Sequence, residues 1–195
     1  MSEPQFRFLH AADIHLDSPL VGLDRYESAP VDAMRGATRR AFENLVQAAI
    51  DEDVAFVLLA GDLYDGDWKD YGTGLFFVDQ MAKLRDAGIA VFVVAGNHDA
   101  ASQLTKTLRP PDNVHFFSTK HPETRHVEAV DVAIHGQGFA LRHENDDLAA
   151  AFPVAVPGRF NIGLLHTSLD GRVGHAPYAP TSTKILAQKE YQYWA

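Results

Sequence analysis

Cysteine is absent from the sequence, which excludes a disulfide framework and any thiolate metal site and leaves nothing that points to an oxidising compartment. Long apolar runs are missing as well. No stretch approaches the roughly 20 apolar residues that span a bilayer, and the polar start, Met1 to Gln5, has no basic segment leading into an apolar core. Neither a membrane anchor nor an export signal is expected, and the expected location is cytoplasmic. Basic residues are scarce: 17 Lys and Arg against 26 Asp and Glu give a net charge of −9, which works against a broad electrostatic footprint on DNA or anionic lipid. A nucleic-acid partner has to be gripped locally. Internal repeats and low-complexity tracts are also lacking.

What is present is a chain of 195 residues, 46% hydrophobic, enough to bury a sizeable core. Its apolar residues are gathered into short runs that end abruptly in polar side chains. VFVVAGNHD (91–99) is the clearest, a β-branched and aromatic run that reads as a strand buried on both faces, released into a turn by Gly96. FRFLHAADIH (6–15), VAFVLLAGD (54–62) and IGLLH (162–166) follow the same grammar. Asp, His and Asn residues are thereby delivered to the C-terminal ends of four strands.

Taken in order, Phe6–Ala12 is expected to be a strand, and Val31–Asp53 an amphipathic helix, because Met34, Ala37, Ala41, Leu45 and Ala49 recur at helical spacing. Val54–Ala60 is the second strand. Gly72–Ala87 is the second helix, capped by Gly88, and Ile89–Ala95 is the third strand. This β-α-β-α-β order implies parallel strands with right-handed crossovers, so the strand ends carrying Asp13, His15, Asp62 and Asn97 line one edge of a sheet, where open α/β sheets bind ligands. Val114–Ser118, His126–Val130 and Val132–His135 suggest a second, partly antiparallel sheet. Asp146–Phe152 reads as a short helical stretch, Phe160–Leu165 as a strand, Ser182–Lys189 as a short helix and Tyr191–Ala195 as the beginning of a strand.

The donor set is oxygen and nitrogen without sulfur, which suits manganese first, with iron, zinc or magnesium as alternatives. Asp62 has two carboxylate oxygens with which to bridge two ions, Asn97 offers a neutral oxygen, and His166 adds an imidazole. Two divalent ions about 4 Å apart orient and acidify a water and stabilise a transferring phosphoryl group, so phosphoester hydrolysis is the natural reaction. His98, next to Asn97, projects beside such ions, where it can protonate a leaving oxygen or hold the phosphate, with Asp99 accepting its other N–H.

In this order D-x-H, G-D, G-N-H-D and an isolated strand-end His resemble the calcineurin-like metallophosphoesterase superfamily. FLHAADIHLDSPL (8–20), AGDLYD (60–65), AGNHD (95–99) and IGLLHTSLDGRVGHAPYAP (162–180) are similar to the SbcD/YhaO-type bacterial DNA repair exonucleases. The resemblance implies an α/β fold, α+β in part, as a four-layer αββα sandwich around a dinuclear metal site. It implies Asp13 and His15 as ligands of one ion, Asp62 as the bridge, Asn97 and His166 as ligands of the other, and His98 as the catalytic acid. Implied partners are DNA and an SMC-like ATPase of the SbcC type, with a homodimer as a further assembly. The family pattern also places a G-H-x-H segment soon after a sequence like YQYWA, one His to each metal. Residues 1–195 are therefore expected to be the N-terminal part of a single metallophosphoesterase domain, short of its last strands, with metal held less tightly for want of those imidazoles. The alternatives are a phosphatase or cyclic-nucleotide phosphodiesterase on the same fold, and a non-catalytic scaffold for the ATPase.

Several other residues have duller readings. His10 is expected to pack or to support a ligand, and Asp17 and Asp65 to cap or form turns. His175 is as well explained by a solvated loop as by the site. His115, His121, His126, His135 and His143 carry no recognisable spacing, and Phe76 and Phe77 belong to the core of the second helix. Trp68 and Tyr71 are candidates for stacking on a base.

Overall fold

A computed structural model describes residues 5–18, 31–65, 71–101, 109–169 and 178–195, with backbone alone for 31–35 and 101. The first sheet has the order β1 (Phe8–Ala11), β2 (Phe56–Ala60), β3 (Ala90–Val94) and β4 (Val114–Phe116), all parallel. Helices α1 (Val31–Asp51) and α2 (Tyr71–Asp86) make the first two crossovers. Gly88, at φ 74°, ends α2 as the sequence implies, and the amides of Gly88 and Ile89 return to the carbonyls of Arg85 and Leu84.

The second sheet has the order β5 (Glu123–Val127), β6 (Val132–Gly136), β7 (Phe160–Leu164) and β8 (Tyr193–Trp194). Only β5 and β6 are antiparallel; β7 pairs parallel with both β6 and β8. Two expectations are corrected here. The Val114 run joins the first sheet, hydrogen-bonded beside β3, because its alternation reports burial and not which edge it extends. The strand expected at 126–130 begins at Glu123 and stops at Val127, since Glu128–Val130 forms a 3₁₀ turn closed by Asp131 at φ 52°.

Strand alternation builds the layers. Phe56, Leu58, Ala60, Phe92 and Val94 pack against Val132, Ile134, Ile162 and Leu164 between the sheets. On the other face of the first sheet Val57, Leu59, Val91 and Val93 meet Phe42, Val46 and Ala49 of α1 and Phe77, Met81 and Leu84 of α2. The outermost layer is slight: a 3₁₀ turn at Leu148–Ala151 and the short helix α3 (Thr183–Gln188), capped by Ser182, gather Phe152, Leu165, Tyr191 and Trp194. With a one-turn helix, Asn97–Ala101, at the end of β3, this is the expected αββα arrangement. Each fully buried Phe, Leu or Ile contributes about 1.5–3 kcal/mol relative to exposure, so the inter-sheet cluster fixes how the strand ends align. Among the described residues no helix is long and apolar enough to cross a membrane.

Candidate metal centre

Three strand exits of the first sheet and one of the second converge. Past β1 the chain runs beside the exit of β2: the amides of Asp13, His15 and Leu16 donate to the carbonyls of Gly61, Asp62 and Leu63. Asp13, His15 and Asp62 all adopt left-handed backbone, at φ 52°, 45° and 52°. That conformation is uncommon outside glycine and clusters where a fold aims particular side chains. Glycine is needed where two exits touch. A Cβ on Gly96 would lie 2.2 Å from Asp62 Oδ1, and one on Gly61 would lie 2.7 Å from His166 Nδ1.

Asp62 is the centre. Only 4% exposed, it accepts from the His98 amide through Oδ1 at 3.0 Å. Its Oδ2 lies 3.5 Å from His166 Nε2, 3.9 Å from His15 Nε2 and 4.0 Å from His98 Nε2. The His166 ring is pinned, because Nδ1 meets the Ala60 carbonyl at 2.9 Å and a carbonyl only accepts. In the neutral ring Nε2 therefore carries a lone pair, directed at Asn97 Oδ1, 3.1 Å away, and at Asp62 Oδ2. Three electron-rich atoms facing one another are the arrangement a cation satisfies, so these residues fit a divalent metal.

Two groups of potential ligands share this centre: Asp13, Asp62 and His166, and His15, Asp65 and His98, each with donor atoms within 4.8 Å of one another. The resemblance implies Asp13 and His15 on one ion, whereas these groups set them apart; both lie beyond β1 in left-handed backbone, where the strand rule that i and i+2 share a face does not apply. The five expected ligands, Asp13, His15, Asp62, Asn97 and His166, nevertheless lie on the loops that meet here.

Asp65 is the residue the sequence reading undervalued. Its Oδ1 is 2.7 Å from His15 Nδ1 and 3.0 Å from His98 Nδ1, and the two rings meet edge to face at 5.1 Å. An ionised carboxylate only accepts, so both rings donate through Nδ1 and keep Nε2 on the side of Asp62. Burial pushes the Asp65 carboxyl up, but hydrogen bonds from Ser18 and His15 and the charges of His15 and His98 outweigh it and hold it below the usual range. The available signal was the spacing G-D-x-x-D from Gly61 to Asp65, which a turn explains equally well.

Asp99 does something other than orient His98. It is 4% exposed and accepts from the amides of Gly96 at 3.0 Å, Tyr64 at 2.9 Å and Leu63 at 3.1 Å, tying the exits of β2 and β3 together. Burial raises its carboxyl, opposed by those three amides. The carboxylate at His98 Nδ1 is that of Asp65.

The remaining candidates fall outside this centre. His10 meets the Tyr193 hydroxyl at 3.1 Å. His135 is buried between Thr124 and Asn161 and stacks on Tyr191, and His115 lies against Phe92. His121, His126 and His143 are exposed, as is Tyr71. Trp68 and His175 lie outside the described residues.

A family model for calcineurin-like phosphoesterases matches residues 6–172. The chain belongs to the calcineurin-like phosphoesterase family. Among its curated relatives, the uncharacterized metallophosphoesterase YhaO of Bacillus subtilis is 36% identical over 191 residues, which cover 96% of this chain and 47% of that protein. The DNA double-strand break repair protein Mre11 of Sulfurisphaera tokodaii is 30% identical over 123 residues, covering 60% of this chain and 29% of the relative. The crystal structure of the Pseudomonas putida nuclease MPE covers 82% of this chain and is 61% covered itself, at 17% identity and a TM-score of 0.42. The chain thus spans about half the length, or less, of these curated relatives.

Proposed function

We propose that this member of the calcineurin-like phosphoesterase family is a dinuclear-metal phosphodiesterase that cleaves DNA, with manganese as the preferred ion. The observation that carries the reading is Asp62, a buried carboxylate with three imidazole Nε2 atoms within 4.0 Å of one oxygen, at the junction of two ligand clusters. When bound, two divalent ions supply a water of lowered pKa and positive charge beside the transferring phosphoryl group. The chain's own residues do the rest. Asp62, at the junction, with Asp13, His15, Asn97 and His166 around it, would hold the ions. His98, with Nδ1–H donated to Asp65, would act from Nε2 as the acid that protonates the leaving 3′ oxygen as its bond to phosphorus breaks, while the water, having given one proton up to solvent, forms the new P–O bond. Asp65 stabilises the imidazolium form and keeps Nε2 aimed. Acid catalysis of this kind contributes about 10²–10⁴-fold.

DNA as substrate is supported by the Mre11 relatives, named for double-strand break repair, and by the motif resemblance. The same resemblance supports an SMC-like ATPase of the SbcC type as a partner. The test is hydrolysis by the purified chain with manganese of three substrates: a linear DNA duplex, bis-p-nitrophenyl phosphate and p-nitrophenyl phosphate. Cleavage of DNA and of the diester, with the monoester slow, is expected. Rapid monoester hydrolysis with DNA untouched would replace the reading with a phosphatase. No hydrolysis of any substrate, with His98→Ala indistinguishable from wild type, would favour a scaffold.

A further inference from the structure

Asp17, on the β1 exit, is not used by the chemistry above, yet both its carboxylate and its amide are held by side chains of the two helices. Its carboxylate, 13% exposed, receives the Arg39 guanidinium as a fork: Nε donates to Oδ1 at 2.8 Å and Oδ2 at 2.9 Å, and Nη2 donates to Oδ2. The fully buried Thr73 hydroxyl adds a third donor at 2.6 Å. The Asp17 amide donates to Thr38 Oγ1 at 3.1 Å. The Arg39 guanidinium lies 5.0 Å over the Phe76 ring. One exit residue is thus fastened to α1 through Thr38 and Arg39 and to α2 through Thr73 and the Arg39–Phe76 contact.

The consequence falls on His15. The Ser18 amide returns to the His15 carbonyl at 3.0 Å, closing a turn in which Asp17 sits at φ 55°. The Ser18 hydroxyl hydrogen-bonds Asp65, whose carboxylate holds the His15 ring at 2.7 Å. Aspartate tolerates the left-handed conformation that such a turn requires, and its carboxylate offers lone pairs for a fork and a hydroxyl at once. The geometry points to Asp17 as a positioning residue: by bracing the 15–18 turn against both helices, it sets where the His15 imidazole stands relative to Asp65 and Asp62. This rests on the metal-site reading above and extends it to a residue that touches neither metal nor substrate.

The test compares wild type, Asp17→Asn, Thr73→Val and Ile162→Val, the last a destabilising change in the inter-sheet core, which includes no residue of the turn. Two readouts are taken at one pH: the His15 ring ¹⁵N–¹H correlations of metal-free protein, with His135 as internal reference, and the dissociation constant for manganese alone. Asp17→Asn is expected to shift or split the His15 ring signals, leave those of His135 in place, and weaken manganese about tenfold, within the range for residues that orient ligands. Thr73→Val, which removes one hydrogen bond, gives smaller changes of the same kind and carries the test if Asp17→Asn does not fold. Ile162→Val changes neither readout. Unmoved His15 signals, or equal changes in Ile162→Val, would overturn the brace. If wild type binds no manganese while the His15 signals move with Asp17→Asn, the brace stands and the metal reading fails.

Discussion

The sharpest consequence of the convergence concerns Gly96, which is glycine for want of space and not for its backbone angle: among the residues with positive φ it does not appear. A methyl group there would lie 2.2 Å from Asp62 Oδ1, 2.6 Å from the Asp62 backbone nitrogen and 3.0 Å from its Cγ. Ordinary contact needs about 3.4 Å or more, so the two strand exits must part by nearly 1 Å. Rotating Asp62 cannot relieve this, because the nitrogen is part of the chain. Overpacking of this size costs about 1–3 kcal/mol, and a displacement of about 1 Å at a reacting centre costs about 10²-fold in rate. Gly88→Ala is the matched control. It has no atom within 4 Å of its added Cβ and a φ of 74°, so it carries only backbone strain, about 1–2 kcal/mol. Thermal melts and manganese titrations of both variants therefore separate the effects: both lose stability, and only Gly96→Ala loses metal affinity, by about 10–100-fold. Wild-type manganese affinity in a folded Gly96→Ala protein would refute the claim that the contact between these exits sets the Asp62 carboxylate.

Other outcomes follow from the same geometry. Asp99→Ala leaves three backbone amides of the β2 and β3 exits without their acceptor and is expected to cost about 2–4 kcal/mol in urea denaturation; unchanged stability with lost turnover would return Asp99 to His98. His98→Asn is expected to retain manganese, measured by dialysis and metal analysis, while diester hydrolysis falls about 10²–10⁴-fold. Burial, opposed by the Asn161 hydrogen bond, holds the His135 imidazole below its ordinary 6.5. The unfolded chain then takes up a proton that the folded chain resists, so stability falls as pH drops below about 6.5. His135→Gln flattens that slope in denaturation midpoints, even though His10 and His115, also lowered by burial, act in the same direction.

Much of the fold was legible because burial leaves a period in the sequence. The runs at 54–60, 89–95 and 160–165 became β2, β3 and β7 within a residue or two, and Gly88 ended α2 where a left-handed residue was required. What periodicity does not encode is the neighbour. Val114–Phe116 alternates equally well in either sheet, and only its hydrogen bonds to β3 assign it. The polar Glu123, Thr124 and Arg125 lay outside the expected strand because, on an edge strand, their side chains are not buried and leave no apolar run.

The sequence by itself determined the chemistry available here: an oxygen and nitrogen donor set at four strand ends, no sulfur, and glycines before Asp62 and Asn97. Those are properties of local runs, since a buried strand must end where its polar residues begin. The tertiary structure decided the roles. Asp99, next to His98 in the chain, spends its carboxylate on amides as far away as Leu63, 36 residues earlier, while Asp65 crosses the same gap to hold His98. A carboxylate is claimed by the donors the fold brings within about 3 Å, and apart from the Gly96 amide the donors named here for Asp99 and Asp65 lie on other loops, where no spacing along the chain records them.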